Sequence, residues 1–180
     1  FIELDFNAAE LRTLLALSGK QQPEEDIHEW NVKNVYGGST TREEAKKRIF
    51  AWLYNPNSKD SLSASAYDRA GVVNKFWQGT IVKTIFDRNI PSDKHHALNY
   101  IIQSTTSDLF LRRMIEVHKL LENKKSFISF SVHDSLVIDL AEEERDILTG
   151  IVDVFSETDL GKFKVNVSAG KDYSNMRKLI

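Results

Sequence analysis

The stretch Phe127-Ile128-Ser129-Phe130-Ser131-Val132, followed by His133-Asp134 and then Leu136-Val137-Ile138, constrains the fold most strongly. Two apolar runs rich in aromatic and β-branched residues around a short polar turn predict a β-hairpin. Phe1-Ile2-Glu3-Leu4-Asp5 at the start and Phe163-Lys164-Val165-Asn166-Val167 near the end alternate as strands do. Helical periods lie between them. Asn7 is a candidate N-cap for a helix over 8–17, Asp26 for one over 27–36, and Thr41-x-x-Glu44 is a capping box for one over 42–54. A long helix is predicted over 93–121, and a last one runs from the triple glutamate at 142 to Phe155. The Ser-rich segment 58–65 reads as a mobile loop, 67–85 as a helix and Asn89-Ile90-Pro91 as a turn. Strands at both ends with helices between them predict an α+β fold built on a small antiparallel sheet.

Composition narrows the function. The 180 residues contain no Cys, which excludes disulfides, Cys-ligated zinc, iron–sulfur clusters and thiol catalysis. No apolar run approaches the ~18–20 residues of a membrane span, so no membrane partner is expected. A reducing, cytoplasmic setting fits the missing Cys. The net charge of −2 conceals a division: residues 42–125 hold 15 Lys+Arg against 9 Asp+Glu, and the rest holds 9 against 17. A basic middle suits phosphate binding, and acidic ends suit cation chemistry.

Four constellations could carry that chemistry. Asp5, at a strand end, and Asp134, at the hairpin turn, would give one small sheet two carboxylates. That donor set suits Mg²⁺, two of which can serve phosphoryl transfer. Taken alone, Asp5 reads at least as well as a helix-capping acid, and Asp134 reads better as an ordinary turn acid. Arg42, Lys46, Phe50 and Tyr54 lie four apart on one helix face, with cations toward its N-terminal end and rings toward its C-terminal end. A nucleoside triphosphate has the same polarity, although each residue alone fits an ordinary amphipathic helix. Asn99 and Gln103, one turn apart, could read minor-groove acceptors or simply face solvent. Glu10 follows Asp5 on the next helix, and His28 near a helix start is more commonly a surface or capping residue than a phosphate ligand.

In order along the chain, these motifs resemble DNA polymerase family A. Asp5-Phe6-Asn7-Ala8-Ala9-Glu10-Leu11-Arg12 resembles its first palm motif, and Asp26-Ile27-His28 its next short signature. The spaced Arg42, Lys46, Phe50 and Tyr54 match its fingers helix, and Asn99-x3-Gln103-x4-Asp108-Leu109 a palm helix. Val132-His133-Asp134 resembles the last catalytic motif, and Ala169-Gly170-Lys171-Asp172-Tyr173 the C-terminal ending.

The resemblance implies a palm over 1–23 and 96–180, with a reduced helical fingers subdomain over 24–95. It implies a DNA-directed DNA polymerase that extends a primer 3′-hydroxyl from deoxynucleoside triphosphates with two Mg²⁺. Asp5, Asp134 and the Phe6 carbonyl would hold the metals. Arg42, Lys46 and His28 would serve the triphosphate, Phe50 and Tyr54 the sugar and base pocket, and Glu10 the exclusion of a 2′-hydroxyl. Asn99, Gln103 and His133 would touch primer–template DNA.

Ser135 stands where the family usually has an acid, and Asn55 where Gly usually follows the Tyr. The short interval between Tyr54 and Gln103 suggests a compact, phage-like member. A thumb or exonuclease segment, or a separate chain, is the expected partner. The alternative function is a non-catalytic or decayed subunit that binds primer–template DNA.

Overall fold

The computed structural model describes residues 1–179, so Ile180, the last residue of the expected palm segment, lies outside them. The elements in chain order are β1 (Ile2–Phe6), α1 (Ala9–Leu17), α2 (Ile27–Asn34), α3 (Arg42–Tyr54), α4 (Ser61–Ala66), α5 (Arg69–Phe76), β2 (Ile81–Lys83) and β3 (Asn89–Pro91). There follow α6 (Ala97–Leu120), β4 (Phe127–Val132), β5 (Ser135–Asp139), α7 (Leu148–Ser156), β6 (Glu157–Thr158), β7 (Gly161–Lys162), β8 (Val165–Ala169) and β9 (Arg177–Lys178). The fold is α+β with an antiparallel sheet, as the pattern of strands and helices predicts. No helix among the described residues is long and apolar enough to cross a membrane.

The chain divides into two compact units: a sheet unit of Phe1–Ala9 with Ser107–Ile180, and a helical unit of Glu10–Thr106. The sheet unit carries the five-stranded sheet in the order β4-β5-β1-β8-β9. Its central strand β1, the first of the chain, pairs antiparallel with β5 and β8 and so joins the hairpin to the C-terminal strands β8 and β9. Period-2 alternation turns Ile2, Leu4 and Phe6 into the core. There the Phe6 ring stacks on Phe155 with centroids 4.4 Å apart and meets Phe163 edge-on at 5.7 Å. Glu3 and Asp5 consequently belong to the opposite face.

The helical unit packs Leu11, Leu14, Ile27, Ile49, Trp52 and Tyr67, all essentially inaccessible, into its own core. Tyr67 donates to Asn31 Oδ1 at 2.7 Å, and Tyr36 pairs its hydroxyl with that of Ser63 at 2.9 Å, which satisfies these four buried groups in two pairs, whereas Asn31 Nδ2 and Trp52 Nε1 have no partner among the described residues. Arg12 is fully buried and donates to the carbonyls of Pro23 (2.7 Å) and Glu25 (2.8 Å), fixing the segment that leads into α2.

Several local expectations are corrected. Segment 58–65 contains helix α4. Asp60 caps it through Ser63 and is itself gripped by Arg48 at 2.6 and 2.8 Å, so tertiary contacts override the weak helical preference of serine. The helix expected over 67–85 stops at Phe76; Gly79, at φ 86, turns the chain into β2. Asn89–Pro91 is strand β3, paired with Ile81–Lys83. The last helix is 3₁₀ over Glu142–Ile147, broken at Glu144, and α-helical only from Leu148. Glu144 leaves helical geometry while its carboxylate accepts from the backbone N–H of Lys125 and Ser126 and from the Ser126 hydroxyl.

Candidate functional site

In the sheet unit, β1–β5 register sets Asp5 opposite Ser135, the residue after Asp134. Asp134, in the turn that leads into β5, is thus one residue from the position paired with Asp5, although the two are far apart in sequence. His133 and Asp134 form the two-residue turn of the β4–β5 hairpin. His133 takes φ 54, the left-handed conformation that such tight hairpins use, and its side chain is exposed.

Asp5 is half-buried between two neutral donors. Ser135 donates its hydroxyl to Oδ1 at 3.2 Å, and Asn166, opposite Asp5 on β8, donates Nδ2 to Oδ2 at 3.1 Å. Asp5 makes no ion pair among the described residues. Each Asp5 carboxylate oxygen keeps a lone pair, and the hard oxygens of Asp5 and Asp134 are of the kind that fits Mg²⁺, which commonly takes one or two carboxylates and completes its shell with water and substrate phosphates. No cluster of three or more metal-ligating side chains occurs among the described residues. The Phe6 ring is buried in the core and has no donor atom, so only the Phe6 backbone carbonyl could serve as a ligand.

In the helical unit, the capping box forms as predicted and starts α3 at Arg42. The spaced ladder is present, but its two cations differ. Arg42 is held by acids: Nε and Nη2 donate to Asp26 at 3.2 and 2.9 Å, and Nη1 donates to Glu43 at 2.9 Å. These contacts favour its charged form, the Asp26 bond most. Lys46 is exposed and has no ion pair among the described residues.

Phe50 and Tyr54 stack with centroids 6.1 Å apart, and the His28 ring lies 5.9 Å from Phe50. His28 is buried at 3% exposure, unlike a typical surface histidine, and its Nδ1 has no partner. Burial pushes its imidazole down to about 4; Asp26 opposes this, while Arg42 and Lys46 add to it. The Tyr54 hydroxyl donates to Glu10, and burial followed by that bond raises the phenol above its ordinary value. Asn99 and Gln103 share one face of α6, Asn99 half-buried and Gln103 exposed.

Sequence reasoning read Asp26 as a helix N-cap, which it is, but gave neither it nor Arg12 or Asn166 a part in the site, and noted Ser135 only as a departure. Strand alternation offered one signal: Asn166 occupies an outward position of β8, as Asp5 does in β1.

The family model for DNA polymerase family A matches residues 59–175, and the chain belongs to that family. A curated relative, DNA polymerase I of Caldicellulosiruptor bescii, is 26% identical over 199 aligned positions. The match covers 84% of this chain but 23% of that protein, so the chain spans about a quarter of its length. Among solved structures, the POL domain of Pol1 from M. smegmatis, in complex with DNA primer-template and dNTP, superposes with a TM-score of 0.77 at 17% identity. That match covers 94% of this chain and 39% of the other, and it establishes the shared fold.

Proposed function

We propose that these residues form the palm (1–23 and 96–180) and fingers (24–95) of a template-directed DNA polymerase that adds deoxynucleotides to a primer 3′-hydroxyl. The observation that carries this reading is the β1–β5 register, in which Asp5 faces Ser135 and Asp134 is the next residue. Asp5, Asp134 and the Phe6 carbonyl would hold two Mg²⁺. Such ions lower the pKa of an attacking hydroxyl and stabilise the charge on a leaving pyrophosphate. Ser135 and Asn166 orient the Asp5 carboxylate without neutralising it.

In the helical unit, Lys46 supplies an uncommitted cation near the N-terminal end of α3, where the helix dipole also favours anions. Arg42 adds a guanidinium fork for phosphate oxygens. His28, neutral at pH 7, can engage phosphate only as a hydrogen-bond donor. Phe50 and Tyr54 present stacked rings to a base and sugar, and Glu10, bonded to Tyr54, would exclude a 2′-hydroxyl. Asn99, Gln103 and His133 would contact primer–template DNA. A thumb or exonuclease segment, in the same polypeptide or another, would hold the duplex, and the enzyme would work in the cytoplasm. The short interval between Tyr54 and Gln103 supports a compact, phage-like architecture.

Primer extension by the intact polypeptide, with Mg²⁺ and with any separately encoded thumb fragment, tests the reading. Template-dependent extension that Asp5→Asn abolishes is the expected result. Duplex binding with no incorporation under any of these conditions would favour a non-catalytic DNA-binding subunit.

A further inference from the structure

Asp26 connects three parts of the helical unit. Its Oδ1 accepts from the backbone N–H of His28 and Glu29, both at 3.0 Å, which caps α2. The same carboxylate takes the Nε–Nη2 edge of Arg42 at 3.2 and 2.9 Å. The backbone leading to it is fixed from behind, where the buried Arg12 guanidinium donates to the Pro23 and Glu25 carbonyls.

The acids around Arg42 are not equivalent. The Asp26 side chain is 23% exposed, whereas that of Glu43, on Nη1, is 68% exposed. Glu29 stands farther off, at 3.9 Å from Nε. A two-point carboxylate grip fixes the plane of a guanidinium, whereas a single contact to an exposed glutamate costs little to break. The Nη1–Nη2 edge is therefore the one that an incoming anion can occupy, after Glu43 leaves.

We propose that Asp26 is a positioning residue for the nucleotide: it holds the Arg42 fork by one edge and presents the other to the triphosphate, with Glu43 as the displaceable occupant. This inference rests on the reading of Arg42 as a triphosphate ligand, and its test separates the two. Asp26→Asn is the informative variant, because Asn caps a helix as well as Asp does but brings no charge to Arg42.

Equilibrium binding of a deoxynucleoside triphosphate with Mg²⁺ is measured on the intact polypeptide, with circular dichroism and thermal melting as controls for the fold. Arg42→Ala should weaken binding about tenfold or more, and no change there would sink the triphosphate reading itself. Asp26→Asn should weaken it about five- to tenfold, while Glu43→Gln should tighten it up to about threefold. Asp26→Asn combined with Arg42→Ala should bind no more than about twofold weaker than Arg42→Ala alone, because both act through one guanidinium. A purely structural role for Asp26 would make the two losses multiply.

In steady state, Asp26→Asn should raise the apparent nucleotide constant by more than it lowers kcat. If Asp26→Asn melts α2, Asp26→Ser, another good cap, takes its place. Unchanged or tighter nucleotide binding by a folded Asp26 variant, with Arg42→Ala weakened, would overturn the positioning role and make Asp26 a bystander or a competitor of the phosphate.

Discussion

The surroundings of Asp5 and of Arg42 solve opposite problems. Asp5 is flanked across both neighbouring strands by neutral donors, Ser135 and Asn166, which hold its carboxylate but leave its charge uncompensated. Arg42 is surrounded by carboxylates from Asp26, Glu43 and Glu29 and is largely neutralised as it stands. A group that receives a hard divalent cation benefits from retained charge and fixed direction. A flexible guanidinium that must meet a triphosphate benefits from being held in one plane until an anion displaces its weakest partner. The sheet supplies the first arrangement through register, and the helices supply the second through a cap.

The largest expected effect tests how the helical arrangement is anchored. Arg12→Leu removes the donors to the Pro23 and Glu25 carbonyls and should cost about 2–4 kcal/mol. Hydrogen exchange should rise first over 23–36, while β1 and β5 keep their protection. Uniform loss across both units would show that the two regions are not independently held.

The next effect concerns pH. Imidazole in an unfolded chain titrates near 6.5, whereas His28 in the folded protein is pushed down to about 4 by burial. Between those values the unfolded state binds the extra proton. The contribution of neutral His28 is therefore complete above about pH 6.5 and is lost as pH falls toward 4. It amounts to about 2–3 kcal/mol. His28→Gln should flatten the stability profile over that interval. A profile unchanged by the substitution would mean that His28 is solvated in solution.

A smaller effect separates orientation from charge near Asp5. Ser135→Ala and Asn166→Ala should each slow incorporation by about tenfold or less, roughly 1 kcal/mol, by freeing the carboxylate. Ser135→Asp, which restores an acid after Asp134, should tighten Mn²⁺ binding measured by paramagnetic relaxation. Weaker Mn²⁺ binding in that variant would argue that the neutral donors are required as they are.

Much of this was legible in the sequence because it is local. The α3 start follows from Thr41 and Glu44, three residues apart, and the hairpin follows from two apolar runs around His133-Asp134. What escaped detection depends on distant partners. Helix α4 exists because Asp60 meets Arg48 and Ser63 meets Tyr36, contacts that no serine-rich window announces. Strands β2 and β3 are three residues each, too short for alternation to register. The site divides in the same way. Asp5, Asp134 and the Arg42–Tyr54 ladder stand out by spacing, as does the capping role of Asp26, whereas the bond of Asn166 to Asp5 and the grip of Asp26 on Arg42 join residues that only the fold brings together.

The proposed function divides labour, with cation chemistry at the sheet carboxylates and nucleotide binding on α3. Single-turnover incorporation measured against nucleotide concentration tests it most directly, using Asp134→Asn and Lys46→Ala in the intact polypeptide with its duplex-holding partner. Asp134→Asn should lower the maximal rate about 10³-fold or more, ~4 kcal/mol, with the half-saturating nucleotide concentration little changed. Lys46→Ala should chiefly raise that concentration, about tenfold. Loss of nucleotide affinity in Asp134→Asn with an unaltered maximal rate, or full activity in either variant, would contradict the account.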